Sequence, residues 1–263
     1  MTSSVQFDEA VRKHVNEGQL EAARTLLARA KGMPIVWWSE QTHRSISYWD
    51  FVLSPVWWAD IKHRNVLIRR PKPCDAGFLN QCKSDTEFLK RYSRRWGWHG
   101  DLERALKSAN GIPPVLNGSI NWVVEHQGLP QGLASLAMID QVNRRAEFTI
   151  GFPSKQPPTV AHKAALLVMH FSFWIVGLHK LYTYVYEDNR SAQKATRRLG
   201  FLTEGVLADH FWFEDTPISV TTFGLTKTQA CSNEKLLAIV KRLINQDWKL
   251  PEGEFQRNLP ATC

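Results

Sequence analysis

Residues 151–169 read GFPSKQPPTVAHKAALLVM. A strand-like run ends there and a long apolar helical run begins. Such a junction suits an anion, because helix-start N–H groups point outward and carry partial positive charge. Cradles of this kind are usually built from glycine, which lets the backbone close on a phosphate. Here Pro157 and Pro158 stand in the middle, and proline has no N–H to give. The donors left are the N–H groups of Thr159, Val160 and Ala161, the Thr159 hydroxyl, which also suits a helix cap, and the side chains of Lys155 and Lys163. An anion held here loses two backbone donors, each worth about 1.5–3 kcal/mol to a charged partner.

Other reactive side chains are less organised. Cys74, Cys82, Cys231 and Cys263 show no CxxC spacing and no paired histidine motif. No metal site is expected from them, and they read as free thiols of a reducing compartment. His126, His179 and His210 are candidate bases by residue type, but no pattern selects one.

The elements that must position these residues are legible in part. Phe7, Val11 and Val15, then Leu20, Ala23, Leu26, Leu27 and Ala30, predict two short helices over 5–31. Their alanine-rich pattern resembles one tetratricopeptide-type unit, which cannot bury its own face, and no second copy follows. Residues 33–64 are aromatic and irregular. Beyond them the order is strand (65–70), helical pieces from PKPCDAGFLNQC, DTEFLKRYSRR and DLERALKSA, and a hairpin turning at Gln127-Gly128. RRAEFTIGF is a third antiparallel strand, and the long helix from Val160 follows it. The strand KLYTYVYE, the short helix RSAQKATRRLG and a strand pair turning at Asp215-Thr216-Pro217 complete the run. This order predicts an α+β sheet of mixed direction. A further helix is expected in NEKLLAIVKRLINQ, with a polar tail after it. The chain reads as an extension over 1–64, a main domain over 65–226 and a C-terminal helix and tail over 227–263.

The 263-residue chain carries a net charge of +8 and eleven tryptophans, including the pairs Trp37-Trp38 and Trp57-Trp58. The positive excess is spread out, with no polybasic run beyond adjacent pairs such as Arg69-Arg70, Arg94-Arg95, Arg144-Arg145 and Arg197-Arg198. That suits an anionic ligand or acidic partner without requiring a nucleic acid. The tryptophans read as packing rather than stacking platforms. No run approaches the length of a membrane span, and no leader pattern opens the chain, so a cytoplasmic protein without a membrane partner is expected.

The run from Glu187 to Gly205, EDNRSAQKATRRLGFLTEG, resembles the GNAT N-acyltransferase superfamily, and most its branch that acetylates protein N-termini and related amines. The resemblance extends through GLHKLYTYV, AEFTIGF and LASLAMIDQVNRR back to VLIRRPKPCDAGFL, covering about residues 65–226. It implies the GNAT fold, in which AEFTIGF and KLYTYVYE are parallel and splay apart. It also implies an acetyl-CoA or other acyl-CoA donor, whose pantetheine arm pairs with Phe148, Thr149 and Ile150. The pyrophosphate would lie on the loop and helix start at Gln156, Thr159, Val160 and Ala161. An amine, either a small molecule or a protein N-terminus or lysine, would attack the thioester directly. Glu147 stands where family bases often stand, and Asn189 matches the family asparagine. The proton donor expected three or seven residues later is replaced by Ala192 and Thr196, which leaves Thr196 and the neighbouring Ser191 as candidates. Glu204 matches a family residue of structural role. Two alternatives stay open at this level: a donor carried on an acyl carrier protein, or a catalytically silent GNAT-like binding module.

Overall fold

A computed structural model describes residues 4–34, 39–92, 112–153, 158–213 and 215–248. The expected helix over 101–109, the Trp37-Trp38 pair and the polar tail lie outside these residues. So do Gln156, Lys155 and Pro157.

Three helices open the chain: α1 (Ser4–Asn16), α2 (Leu20–Lys31) and α3 (Glu40–Val52). The first two follow the predicted apolar spacing. The third completes them, because Ile46, Trp49 and Val52 close a separate core with Val11, Val15, Ala23 and Leu27. A lone hairpin could not bury that face; α3, hidden among irregular aromatics in the sequence, covers it. Asp8 fixes the corner by accepting from the Trp49 indole at 2.8 Å and the Ser45 hydroxyl at 3.1 Å. Arg24 ties the bundle to the rest, bonding the Leu53 carbonyl at 3.1 Å with its guanidinium over the Trp58 ring.

The sheet begins earlier than the expected boundary at residue 64. Strand β1 (Ile61–His63) pairs antiparallel with β2 (Val66–Arg69), so the hairpin straddles that boundary. Helices α4 (Ala76–Ser84) and α5 (Thr86–Tyr92) follow, then the short α6 (Pro114–Asn117). Strands β3 (Ser119–His126), β4 (Leu129–Asp140) and β5 (Arg145–Gly151) form the predicted meander. Its first turn has Gln127 and Gly128 both at positive φ, 53° and 81°, as a two-residue hairpin of right-handed twist demands. Helix α7 (Pro158–His170) opens on a proline, which suits a first helical position. It then widens into a π-turn over Phe171–Ile175, a departure from the single long helix expected. The turn carries Phe171 into edge contact with Trp57 and Trp122, at 6.0 and 5.5 Å between centroids. Trp57 is therefore core, as its packing reading requires.

Strand β6 (Lys180–Tyr186), helix α8 (Arg190–Arg198), β7 (Leu202–Phe213) and β8 (Thr216–Thr226) complete the sheet. The last turn is tighter than expected: Thr216 and Pro217 are already in β8, paired with Phe213 and Trp212. A short helix α9 (Lys227–Ser232) precedes α10 (Glu234–Ile244). Among the described residues the sheet has eight strands in the order β1-β2-β3-β4-β5-β6-β8-β7, with β5 and β6 the parallel pair. One face packs on α7 and α10 through Ile68, Trp122, Leu136, Phe148, Leu166 and Val240. The other face meets α4 and α5 through Leu79, Cys82, Phe88, Val123 and Leu133. No helix among the described residues is long and apolar enough to cross a membrane.

Candidate active site

Strands β5 and β6 are paired over three rungs: Arg145 with Lys180, Ala146 with Leu181, Glu147 with Tyr182. There the ladder ends. From Phe148 to Gly151, β5 stays bonded to β4, while β6 continues alone beside β8. The two parallel strands thus part at Glu147 and leave one edge of Phe148, Thr149 and Ile150 facing a gap. An extended chain bearing amides can add to such an edge as a further strand would.

Alternation along β5 divides the roles. Ala146, Phe148 and Ile150 face α7, within or against the main core. Glu147, Thr149 and Gly151 face α5. Glu147 is only 6% exposed, and Ser135 on β4 shares its face and is 8% exposed. The Tyr92 phenol, at the end of α5, bonds Ser135. Burial, with the Cys82 thiol and Glu147 nearby, drives its pKa far above the ordinary tyrosine value. Burial and then Glu147 also raise Tyr182. Both phenols therefore stay protonated beside the carboxylate. The Tyr92 ring, stacked on Phe88 at 5.0 Å, sits so close to Gly151 that a Cβ there would collide with it. Glycine at 151 is thus a close-approach position at the mouth of the gap.

Helix α7 points its first turn toward the end of β5. Thr159 is exposed, Val160 is buried in the core and Ala161 is half-buried, so of these three the Thr159 hydroxyl is the exposed side-chain donor at the helix start. Asn189 caps α8: its Oδ1 accepts from the Ala192 N–H at 3.1 Å, and its Nδ2 reaches the Arg91 carbonyl at 3.4 Å. The asparagine thereby links α8 to the helix that carries Tyr92. Ser191 is exposed, whereas Ala192 and Thr196 are half-buried at the four-residue spacing of one helix face. Ser191 and Thr196 lie on different faces, so one reacting group cannot use both.

The histidines stand apart. His126 ends β3, with its ring bonded to Asn65 at 2.8 Å. His179 precedes β6 at the end opposite the gap. His210 lies on the edge strand β7, against Tyr184 and Phe211. Glu204 bonds Lys180 at 2.6 Å across the face of Gly224, tying β6, β8 and β7 together. No group of three or more histidine, cysteine, aspartate or glutamate side chains among the described residues is placed to hold a metal.

Sequence reasoning missed Tyr92, Ser135 and Tyr182. Tyr92 and Tyr182 meet Glu147 from α5 and β6, Ser135 on β4 bonds Tyr92, and only the folded sheet brings them together. An alternating β4 was the one available signal, since it set Ser135 on the same side as Leu133.

Comparison with known proteins agrees with this geometry. Residues 65–202, just over half the chain, match the model of the acetyltransferase (GNAT) domain. The spermidine N(1)-acetyltransferase of Escherichia coli K12 is 41% identical over 92 residues, 35% of this chain and 50% of that protein. The chain thus spans about half the length of the curated relatives it first matches. The structure of spermidine N-acetyltransferase from Vibrio cholerae in complex with CoA and spermine superposes with a TM-score of 0.55 at 24% identity, covering 63% of this chain and 97% of that one. RimJ of Mycobacterium smegmatis, in complex with CoA-disulfide, gives a TM-score of 0.58 at 15% identity, over 67% and 88%. From a sheet that parts between its two parallel strands to a family model spanning that same stretch, the observations lead to one statement: the chain belongs to the GNAT acetyltransferase family.

Proposed function

We propose that the chain is an N-acyltransferase that moves an acyl group, most simply acetyl, from acyl-CoA to an amine. The observation that carries this is the gap between β5 and β6, with an open strand edge on one side and a buried carboxylate at its apex. The pantetheine arm lies along Phe148, Thr149 and Ile150, which sets the thioester at the point where the strands part. Glu147 takes a proton from the incoming ammonium, directly or through one water. The free amine attacks the thioester carbon, a C–N bond forms, and the carbonyl oxygen becomes an oxyanion held by backbone N–H groups of β5. The C–S bond then breaks. As the carbonyl re-forms, the nitrogen gives up its remaining extra proton and the thiolate gains one, relayed through a hydroxyl in the site that is reprotonated in the same transfer; Thr196 on α8 stands at the position where the family resemblance places that donor. Asn189 positions α8 through its cap.

The spermidine N-acetyltransferases among its relatives support an amine acceptor, and a protein amine is the second candidate; nothing supports a carrier-protein donor over acyl-CoA. Residues 1–52 act as an accessory helical module, and residues 227–248 belong with the donor site. Use of an acyl-CoA donor supports a cytoplasmic location. The test is calorimetric titration with acetyl-CoA, followed by thiol release measured with spermidine, spermine and peptides bearing free N-termini. Micromolar binding with thiol release on at least one amine is expected. Absence of acetyl-CoA binding up to millimolar would sink the reading.

A further inference from the structure

At the start of α7 a cavity of about 550 Å³ opens between three helices. Thr159 lines it from the first turn of α7, Arg197 and Arg198 from the end of α8, and Lys235 and Arg242 from α10. All four cations are exposed, and the Arg197 guanidinium lies 5.1 Å from the Phe223 ring centroid. Among the described residues no carboxylate stands within ion-pair distance of any of the four. Among the described residues the ion pairs lie elsewhere, on α1–α3, within α5, at Arg69, at Arg145 and at Lys180. Four like charges converging on one hollow repel one another unless an anion occupies it. Ile239 and Leu243 add an apolar wall, so the site pairs phosphate-binding cations with a surface for a flat base. Its volume is in the range of small-ligand sites.

Two details show how α10 reaches this place. Gly200 turns the chain at φ 87°, and a Cβ there would press on Asn233 and Leu236, each at 3.1 Å. Asn233 in turn caps α10, accepting from the Leu236 N–H at 3.0 Å. The end of α8 and the start of α10 are thus locked together, and their cations face the same hollow. Pro158, the first residue of α7, cannot donate there.

We propose that this cavity holds the 3′-phosphorylated nucleotide end of the acyl-CoA donor. Lys235 and Arg242, on a helix beyond the family-matched stretch, are then determinants of donor affinity that replace backbone donors lost to proline. This rests on the acyl-CoA reading above. The test compares acetyl-CoA with acetyl-3′-dephospho-CoA in wild type and in the Lys235→Ala/Arg242→Ala double variant, and measures direct binding of 3′,5′-ADP and of 5′-ADP by calorimetry. Both side chains are exposed, so an unchanged melting temperature checks the fold. Wild type is expected to lose about 10- to 100-fold in KM when the 3′-phosphate is removed. The variant should lose a similar factor on acetyl-CoA, keep its kcat and become indifferent to the 3′-phosphate. Wild type should bind 3′,5′-ADP more tightly than 5′-ADP, and the variant should not. Equal KM values for wild type and variant on acetyl-CoA overturn the cavity proposal and leave the acyltransferase intact. Binding of 3′,5′-ADP without any binding of acetyl-CoA keeps the cavity as a nucleotide site and removes the acyltransferase. Failure of both ligands removes both.

Discussion

In the proposed reaction Glu147 is the base. Its side chain is buried, and it lies close enough to the Tyr92 and Tyr182 phenols to help hold both protonated. Glu147→Gln keeps the shape and removes the base. A fall of about 10²- to 10⁴-fold in kcat is expected, with acetyl-CoA affinity unchanged by calorimetry; a variant of full activity would reassign the base. A second buried carboxylate has a structural duty. Asp75 accepts both arms of Arg69 at 2.6 and 2.8 Å, and the Lys72 N–H at 2.7 Å, while Arg69 also reaches Glu125 at 2.8 Å. Burial pushes the Asp75 carboxyl up, but the bonds from Arg69 and Lys72 outweigh it, so its pKa is lowered. Arg69→Met leaves that carboxylate buried without its cation and should cost about 3–5 kcal/mol in urea unfolding. The neighbouring Arg70 differs: its Nε and Nη1 are buried without partners, and burial lowers its pKa to about 10. It remains a cation at neutral pH, at the expense of stability.

At the scale of elements, Gly151 and Gly200 set two close approaches. Gly151→Ala drives a methyl into the Tyr92 ring at the mouth of the gap. Overpacking there should cost about 1–3 kcal/mol and raise KM for the amine, read from the melting temperature and from kinetics together. The element order from β3 to α8 was legible because apolar alternation and helical spacing are local signals. Helix α3 was not, since Trp49 and Tyr48 interrupt any clean stripe until α1 and α2 supply the surface they cover. Strand β1 was not, because three residues carry no periodicity. The parting of β5 and β6 came from family resemblance alone: both strands have strand-like sequences to their ends, and nothing local marks where their pairing stops. The cations of Lys235 and Arg242 were invisible as a site, since in sequence they read as the solvated face of an amphipathic helix.

For the whole molecule, acid stability follows from the same shifts. His63 and His170 are lowered, first by burial, and for His63 also by Arg64 and Lys163. A histidine whose folded pKa lies below its unfolded value makes the folded state bind fewer protons. Stability is then full above about pH 6.5 and falls as pH drops toward the folded pKa. Asp8 and Asp75, both lowered, add a second loss below about pH 4, where the unfolded chain takes up protons first. The melting temperature should therefore decline in two stages between pH 8 and 3. A flat profile from pH 7 to 5 would exclude the histidine contribution, and His63→Gln should shallow the first stage.

The parting of the strands also has a mechanical meaning. Three rungs, at Arg145–Lys180, Ala146–Leu181 and Glu147–Tyr182, are the backbone seam between a five-strand half, β1 to β5, and a three-strand half, β6 to β8, among the described residues. A seam so short lets the halves breathe as separate units about Glu147. A ligand lying along Phe148–Ile150 would act as the missing rungs and close the seam. Amide hydrogen exchange should then slow on donor binding in β5 and β6 together, even at Val185 and Tyr186, while β3 is untouched.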